Sequence, residues 1–305
     1  MTALLADIGG TNARFARLEG ETPGAAITLP VAGHAAIEDA IAEALSRLGP
    51  ARTAVLALAG PVTEEPVRLT NAPWQVSVGA LAERFGFTRV RLVNDFLVQA
   101  HALPHLLPTD LLPIGGGTRD PAAPMLVLGP GTGLGVAGFL PTAGIAIPAE
   151  GGHISLAATD QREDAVVAAL RVLCGRAGAE EALSGRGLVN LHAVVAKLRG
   201  KATSARDAAA VVAATDPVAR EAVELFLDLL AGFAGDLALA WGARGGVFLS
   251  GGILPRLIGR LDTNRFRSRF EAKAPMQDWM AGIPLALVTH PAPAFLGLAA
   301  IAREA

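Results

Sequence analysis

Short apolar runs that end at glycine alternate with amphipathic segments in the first third of the chain. Two apolar runs flank Gly9-Gly10, and this arrangement predicts two strands of a hairpin around a glycine turn. Apolar positions at helical spacing predict a helix, and continuous apolar runs predict further buried strands. The predicted elements are strands at 3–8, 13–18, 53–59 and 90–93 and a helix at 34–48. This alternation predicts an α/β domain with a mixed sheet.

The order of strand, glycine turn and strand returns at 125–140, where Met125–Leu128 leads into Gly129–Gly135 and a strand resumes at Val136. This repetition predicts two related domains. Gly232 and Gly235 interrupt a long amphipathic segment and predict close packing against another backbone. The remaining predicted elements are helices at 162–173, 217–242 and 294–304, strands at 246–249 and 284–289, and a loop-rich junction at 104–124.

Composition excludes several classes of protein. The chain has 305 residues, of which 51% are hydrophobic and 18% charged, so it has enough apolar surface to fold. A net charge of −2 predicts neither a nucleic-acid-binding nor a membrane-surface protein. The single Cys174 excludes a disulfide framework and a cysteine-rich zinc site. Without a signal peptide or a continuous apolar helix, the sequence predicts a soluble cytoplasmic protein.

Two glycine-rich turns are candidates for phosphate binding. Asp7–Asn12 combines a carboxylate, two glycines and a hydroxyl, which suits an anion and a water-bridged divalent cation. Gly129–Gly135 has four glycines. Ordering glycine costs more conformational entropy than ordering other residues, and a close approach of the backbone to a ligand would justify that cost. An ordinary hairpin remains the alternative for both turns. Residues 133–138 also match G-x-G-x-x-G, which leaves an NAD-dependent oxidoreductase open, although that pattern should begin a helix.

Asn94 and Asp95 follow a buried strand and begin an apolar segment. A carboxylate at the carboxyl end of a strand can bind a hydroxyl and accept its proton, which makes Asp95 a candidate general base. The alternative is that Asp95 caps the helix that begins near Phe96.

Polar side chains at three later turns are candidates for a sugar or nucleotide site. Glu150 and His153 flank two glycines and could converge on a polyol, or could belong to a plain turn. Glu180 is either a ligand or a solvated surface carboxylate. The turn at 250–252 follows a strand and could hold a flat ring against its backbone.

Six motifs, in this order, resemble those of the bacterial glucokinase family over nearly the whole chain. They are ADIGGTNAR (6–14), LVNDF (92–96), GPGTGLGVA (129–137), PAEGGH (148–153), LSGRGLVNL (183–191) and SGGILPR (250–256). The resemblance implies the actin-like ATPase fold, with two RNase H-like α/β domains around a central cleft. It implies a small domain at 1–105 joined by a C-terminal helix at 293–305, and a large domain at 106–292.

The resemblance also implies roles for particular residues. It implies a first phosphate loop at Ala6, Asp7, Ile8, Gly9, Gly10 and Thr11, a second at Gly131, Thr132 and Gly133, and an adenosine loop at Gly251 and Gly252. Asp7 matches a carboxylate that holds Mg²⁺ through water, and Asp95 matches the catalytic base. Asn94, Asp95, Glu150, His153 and Glu180 match the ligands of the sugar hydroxyls; spacing from His153 favours Glu180 over Glu181.

The implied activity is transfer of a phosphoryl group from ATP to the 6-hydroxyl of D-glucose, with Mg²⁺ as cofactor and a homodimer as the assembly. The alternatives are a kinase of another hexose or aminohexose, and a non-catalytic sugar-responsive regulator. The related ROK sugar kinases carry a cysteine-rich zinc motif, which a chain with one cysteine lacks.

Overall fold

The structure is a computed structural model, and it describes residues 2–60, 62, 64–69, 72–203 and 205–304. The chain divides into two compact units. The first consists of Met1–Leu107 and His290–Ala305, and the second of Pro108–Thr289.

Fourteen strands and eleven α-helices are found in the described residues. The strands are β1 (Thr2–Ile8), β2 (Asn12–Glu19), β3 (Thr22–Pro23), β4 (Ile27–Pro30), β5 (Thr53–Leu58), β6 (Val67–Arg68), β7 (Gln75–Val76), β8 (Arg89–Asn94), β9 (Leu111–Pro113), β10 (Met125–Pro130), β11 (Leu134–Leu140), β12 (Ile145–Ala149), β13 (Gly246–Leu249) and β14 (Leu285–Val288). The helices are α1 (Ile37–Leu48), α2 (Val78–Phe85), α3 (Asp95–Ala102), α4 (Gln161–Cys174), α5 (Gly185–Leu198), α6 (Ala208–Ala213), α7 (Pro217–Trp241), α8 (Leu254–Leu257), α9 (Thr263–Glu271), α10 (Gln277–Ala281) and α11 (Pro293–Arg303). Short 3₁₀ turns occupy Val31–Gly33, Leu103–His105, Pro108–Asp110, Gly151–His153 and Ile258–Arg260.

The first unit is built on a sheet with the order β3-β2-β1-β5-β8, in which β4 also pairs with β2. The β1–β2 hairpin is antiparallel, whereas β1, β5 and β8 are parallel. Alternate residues of β1 face opposite sides of the sheet. Leu4 and Ala6 join the core beneath α1 and α2, and Ala3 and Leu5 join the core beneath α3 and α11. The predicted mixed sheet and hairpin are therefore confirmed.

Helix α11 returns from the end of the chain to pack against α3. At Gly297 the two backbones are so close that a Cβ would lie 1.9 Å from the carbonyl oxygen of Val98. Phe295, Leu298 and Ile301 of α11 are buried in the same core as Val98. The last helix therefore completes the first unit, and it supports the helix that begins at Asp95.

The second unit repeats the strand arrangement of the first. Its sheet has the order β12-β11-β10-β13-β14-β9, with β10 and β11 antiparallel and β10, β13 and β14 parallel. The two outer pairings, of β11 with β12 and of β14 with β9, are antiparallel. Both units thus place a glycine-containing hairpin beside two parallel strands, as the repeated sequence pattern predicts.

Helix α7 is the central helix of the second unit. Its 25 residues span about 37 Å, and most of its side chains are buried against α5 and α9. A Cβ at Gly235 would lie 2.5 Å from the carbonyl oxygen of Phe270 in α9. Gly235 therefore allows the predicted close backbone contact, whereas the nearest atom to a Cβ at Gly232 belongs to the Arg269 side chain, at 3.8 Å. Within the described residues, no helix combines the length and apolarity needed to span a membrane.

Candidate active site

Three parallel strands of the first unit end at the same edge of the sheet. Ile8 of β1 pairs with Leu58 of β5, which pairs with Asn94 of β8. Neighbouring strands lie about 4.8 Å apart, so the ends of β1 and β8 are separated by roughly 10 Å. The Gly9–Thr11 turn and Asp95 both follow these strand ends. This edge therefore brings the first candidate phosphate loop and the candidate base onto one side of the unit.

The Gly9–Thr11 turn is held by backbone hydrogen bonds and presents its tip to solvent. The Gly9 amide donates to the carbonyl of Asn12 at 3.0 Å, and the Val31 amide donates to that of Thr11 at 2.9 Å. Gly10 and Thr11 are exposed. The preceding Ala6 and Ile8 are buried in the core. Those two positions therefore support the loop. The Gly9 amide is used within the turn, so the amides of Gly10 and Thr11 and the Thr11 hydroxyl are the groups that it can offer to a ligand.

Asp7 is the acidic group of this loop, and it lies largely buried opposite Arg14. The nearest Arg14 nitrogen is 3.8 Å from Asp7 Oδ2, beyond hydrogen-bond distance. Burial raises the pKa of Asp7 above its usual value, and the Arg14 charge only partly offsets this effect. An ionised Asp7 is therefore poorly compensated by the protein alone. A hydrated divalent cation would supply the missing positive charge, so the position fits Mg²⁺.

Asn94, rather than Asp95, is the N-cap of α3. Asn94 Oδ1 accepts hydrogen bonds from the amides of Phe96 at 2.9 Å and Leu97 at 3.1 Å, and its Nδ2 donates to Gly60 O at 3.0 Å. The capping alternative for Asp95 is therefore wrong by one residue, because the strand continues through Asn94 and the helix begins at Asp95. The Asp95 carboxylate lies in the first turn of α3, where Oδ1 also accepts from the Phe96 amide.

In the second unit, the Gly129–Gly135 turn packs directly on the turn that follows β13. A Cβ at Gly129 would lie 2.2 Å from the Ser250 carbonyl oxygen, and one at Gly251 would lie 2.5 Å from that of Pro130. Gly251 also has a φ of +97°, which disfavours any other residue. These two glycines are required by the contact between the two turns. Thr132, by contrast, is exposed at the tip of its hairpin.

The Gly131 carbonyl accepts a hydrogen bond from the Gly185 amide at 2.8 Å. Gly185 is the first residue of α5, whose N-cap Ser184 accepts from the Gly187 amide at 2.9 Å. The turn at 129–135 is therefore attached to the start of α5 as well as to the turn after β13.

The turn that carries Glu150 and His153 packs against the beginning of β11. A Cβ at Gly152 would lie 2.0 Å from the Leu134 carbonyl oxygen, so only glycine fits there. The Glu150 and His153 side chains are 70% and 63% exposed, and His153 Nε2 lies 3.7 Å from Glu150 Oε2. Both side chains are therefore available to a ligand while their backbone is fixed.

Glu180 lies where these turns meet. Its amide donates to the Gly152 carbonyl at 2.9 Å, and its Oε2 accepts from the Leu134 amide at 2.9 Å. Glu181 instead pairs with Arg186 at 3.0 Å. The backbone contacts thus bring Glu180 beside the Glu150–His153 turn and beside the end of the second glycine loop.

The structure gathers the sequence-predicted residues into one cluster within each unit. The first contains Asp7, Gly9, Gly10, Thr11, Asn94 and Asp95, and the second contains Gly131, Thr132, Gly133, Glu150, His153, Glu180, Gly251 and Gly252. The NAD-binding alternative for 133–138 is wrong, because β11 occupies this segment where a helix would be needed. In the described part of the chain, no three acidic, histidine or cysteine side chains gather as a metal cluster.

Two charged residues of these clusters were not predicted. Arg14 faces Asp7 from the adjacent strand, and Arg186 lies between Glu180 and Glu181. Arg14 could have been found from the antiparallel hairpin register, which places it opposite Asp7. Arg186 had no comparable signal, since its contacts depend on the fold of the turn before α5.

The architecture is the mixed α/β fold of glucokinases and ROK sugar kinases, of the actin-like ATPase type. The structure of a glucokinase from an Antarctic psychrotroph matches with a TM-score of 0.90 and 35% identity, over 100% of this chain and 99% of that one. A ROK family glucokinase from Streptomyces griseus, solved in complex with glucose and AMPPNP, matches with a TM-score of 0.70. Its 18% identity, over 100% of both chains, shows a shared fold.

The sequence comparisons narrow this class to one family. The family profile described as Glucokinase matches residues 4–305. The glucokinase of Chromohalobacter salexigens is 43% identical over 307 residues, which cover 97% of this chain and 95% of that protein. The chain belongs to the glucokinase family, as the six ordered motifs predicted.

Proposed function

We propose that this protein transfers the γ-phosphoryl group of ATP to the 6-hydroxyl of D-glucose. The observation that carries the proposal is the placement of Asp95 at the same sheet edge as the Gly9–Thr11 turn. With about 10 Å between them, a general base can contact the attacking hydroxyl while a phosphate-binding turn holds the phosphate tail of ATP, on either side of the transferring phosphoryl group. Family membership and the glucose complex of the Streptomyces griseus relative support the choice of sugar.

The two units would act as the two RNase H-like domains on either side of a cleft, with the predicted small domain at 1–105 and 293–305 and the large domain at 106–292. Their matching strand orders support this assignment. Gly9, Gly10 and Thr11 would hold phosphate from the first domain. Gly131, Thr132 and Gly133 would hold phosphate from the second, where Gly251 and Gly252 would face the adenosine.

Asp7 would hold Mg²⁺ through water. Mg²⁺ keeps several water ligands and is commonly bound by one or two carboxylates together with substrate phosphates, which suits a site with a single acidic side chain. The bound ion would neutralise charge on the transferring phosphates. Arg14 would keep Asp7 oriented across the hairpin when no cation is present.

Asp95 would accept the proton of the 6-hydroxyl as its oxygen attacks the γ-phosphorus. Asp95 lies in the first turn of α3, directly after the end of β8. Asn94 has both ends of its amide bound to backbone, so it would contact sugar only through the second N–H of Nδ2. The remaining sugar hydroxyls would form hydrogen bonds with Glu150, His153 and Glu180. A sugar analogue that lacks one of these hydroxyls would leave a polar group of the protein unpaired.

The test is turnover of a sugar panel with Mg²⁺-ATP, with the product identified by mass spectrometry. The proposal requires glucose 6-phosphate, and its absence at saturating substrate would refute it. Faster turnover of fructose, mannose or an N-acetyl sugar would favour the other hexose or aminohexose kinase. Sugar binding without any turnover would favour the regulator. We also infer that the protein is cytoplasmic. We further infer that it is a homodimer, which analytical ultracentrifugation would test.

A further inference from the structure

We propose that Glu180 is a positioning residue for the second phosphate loop as well as a sugar ligand, and that it couples the binding of sugar to the binding of ATP. This inference rests on the proposed function of the cluster around Gly131–Gly133. One carboxylate would serve both substrates, through one oxygen on the loop and the other on the sugar.

The first observation is the contact between Glu180 and the loop. Glu180 Oε2 accepts from the Leu134 amide at 2.9 Å, at the residue where the loop becomes β11. A Cβ on Gly133 would lie 2.6 Å from the same oxygen. In the part of the chain that the structure describes, a Cβ on Gly131 would meet no atom within 4 Å. Neither glycine has a positive φ. An alanine at position 133 would therefore have to displace the Glu180 carboxylate, whereas an alanine at position 131 would not.

The second observation is that the main chain of Glu180 is fixed. Its amide donates to the Gly152 carbonyl at 2.9 Å, and its carbonyl accepts from Ser184 Oγ at 2.8 Å. The side chain is 21% exposed. A carboxylate on such a rigid base holds the Leu134 amide in place, and a charge-assisted hydrogen bond is stronger than a neutral one.

The third observation concerns the other oxygen. Glu180 Oε1 lies 3.7 Å from Arg186, which is an ion-pair distance but too long for a hydrogen bond. A sugar hydroxyl can therefore donate to Oε1 while Oε2 remains on the Leu134 amide. A bound sugar then keeps the Glu180 carboxylate in the orientation in which Oε2 accepts from the Leu134 amide. Linkage requires that ATP strengthen sugar binding by the same factor.

The first experiment measures nucleotide affinity without sugar, by calorimetry with Mg²⁺ and a β,γ-imido analogue of ATP. Glu180→Ala is expected to weaken binding roughly tenfold, the usual effect of losing a hydrogen bond to a charged group. Glu150→Ala is the matched control, because its carboxylate is 70% exposed and faces His153. Glu150→Ala should stay within twofold of wild type. A residue that only binds sugar would give no difference between the two variants.

The second experiment measures glucose affinity without nucleotide, and it compares Gly133→Ala with Gly131→Ala. Both positions belong to the proposed phosphate loop, but only an alanine at 133 must displace the Glu180 carboxylate. Gly133→Ala is expected to weaken glucose binding roughly tenfold, and Gly131→Ala should stay within twofold. The displaced group is the end of a flexible side chain, so Gly133→Ala should keep its fold, which a thermal melt checks.

Equal nucleotide affinity of the two glutamate variants, or equal glucose affinity of the two glycine variants, would overturn the inference. If Glu180→Ala does not fold, the glycine pair alone decides. The result is separable from the proposed function. A wild-type protein that binds the ATP analogue but no glucose would refute glucose phosphorylation, whereas the first experiment would still test the hold of Glu180 on the loop.

Discussion

The two hairpins of this protein have the same topology but different surroundings. In the first unit, the Gly9–Thr11 turn has an exposed tip, and within the described residues a Cβ at Gly9 would meet one carbonyl oxygen, that of Asn12, at 3.2 Å. In the second unit, the Gly129–Gly135 turn is contacted by the turn after β13, by the start of α5 and by Glu180. The tips of both turns are exposed, but the second turn is also held by several neighbouring segments.

The difference shows that repeated glycines in a ligand loop need not all face the ligand. Gly129 allows a backbone contact with Ser250, and Gly133 allows a carboxylate contact with Glu180. Of these three, Gly131 is the one whose Cβ position has no described atom within 4 Å. The acidic group differs as well, since Leu128 stands four residues before Thr132 where Asp7 stands four before Thr11. The proposed base, Asp95, and the acidic side chain of Asp7 therefore both belong to the first unit.

The largest expected effect comes from removing Asp95, the proposed base, which lies in the first unit. Asp95→Asn should lower kcat by roughly 10²–10⁴-fold, because the amide keeps the shape and hydrogen bonding but cannot accept a proton. Glucose affinity by calorimetry should be retained. Asp39→Asn, an exposed acid of the same unit, is the control. Turnover within threefold of wild type would leave Asp95 with only a structural role.

A second prediction compares the two hairpin threonines directly. Thr132→Val and Thr11→Val each remove one hydroxyl from an exposed tip and keep the side-chain shape. Each should weaken the ATP analogue by up to about tenfold, the cost of one hydrogen bond to a charged phosphate. Glucose affinity without nucleotide should be unchanged in both. Loss of glucose binding with normal nucleotide binding would contradict the assignment of either loop.

The third prediction concerns the stability of the metal-free protein. Since the pKa of Asp7 is raised by burial, the folded state prefers the protonated acid, and this contribution to stability is lost as pH rises through the raised pKa. Asp7→Asn should therefore melt at a higher temperature than wild type at pH 8 with EDTA present. The gain should shrink as pH is lowered towards 5. A lower melting temperature for Asp7→Asn at pH 8 would show that Arg14 fully compensates the charge.

The smallest expected effect is a pH dependence of local stability that is confined to the first unit. Burial lowers the pKa of His101 on α3, with Glu304 opposing this effect and Arg91 and His105 adding to it. A depressed histidine pKa gives stability that is lost as pH falls below the unfolded value near 6.5. Amide exchange in α3 and α11 should therefore quicken between pH 7.5 and 5.5 relative to α7. His101→Gln should reduce that change; an equal change in the variant would contradict it.

The sequence predicted the repeated hairpins and parallel strands because both follow from local apolar patterns that end at glycine. It also predicted α7 and α11 within one residue at each end. The sequence analysis missed the β6–β7 ribbon and the helices α2, α5, α6 and α8 to α10, most of which are short and depend on tertiary packing. The residues of the clusters were found by motif. Their interactions were not, because Glu180 reaches Leu134 across a separation of 46 residues.

The contact at Gly297 affects the order in which the two units can complete their folding during synthesis. A ribosome delivers all of Pro108–Thr289 before it delivers α11, so the second unit can fold while the first still lacks a helix. Until α11 arrives, the α3 face around Val98 lacks its partner helix, and the helix that begins at Asp95 lacks that support. The cluster around Gly131–Gly133 can therefore be complete before α11 packs against the helix that begins at Asp95, the proposed base.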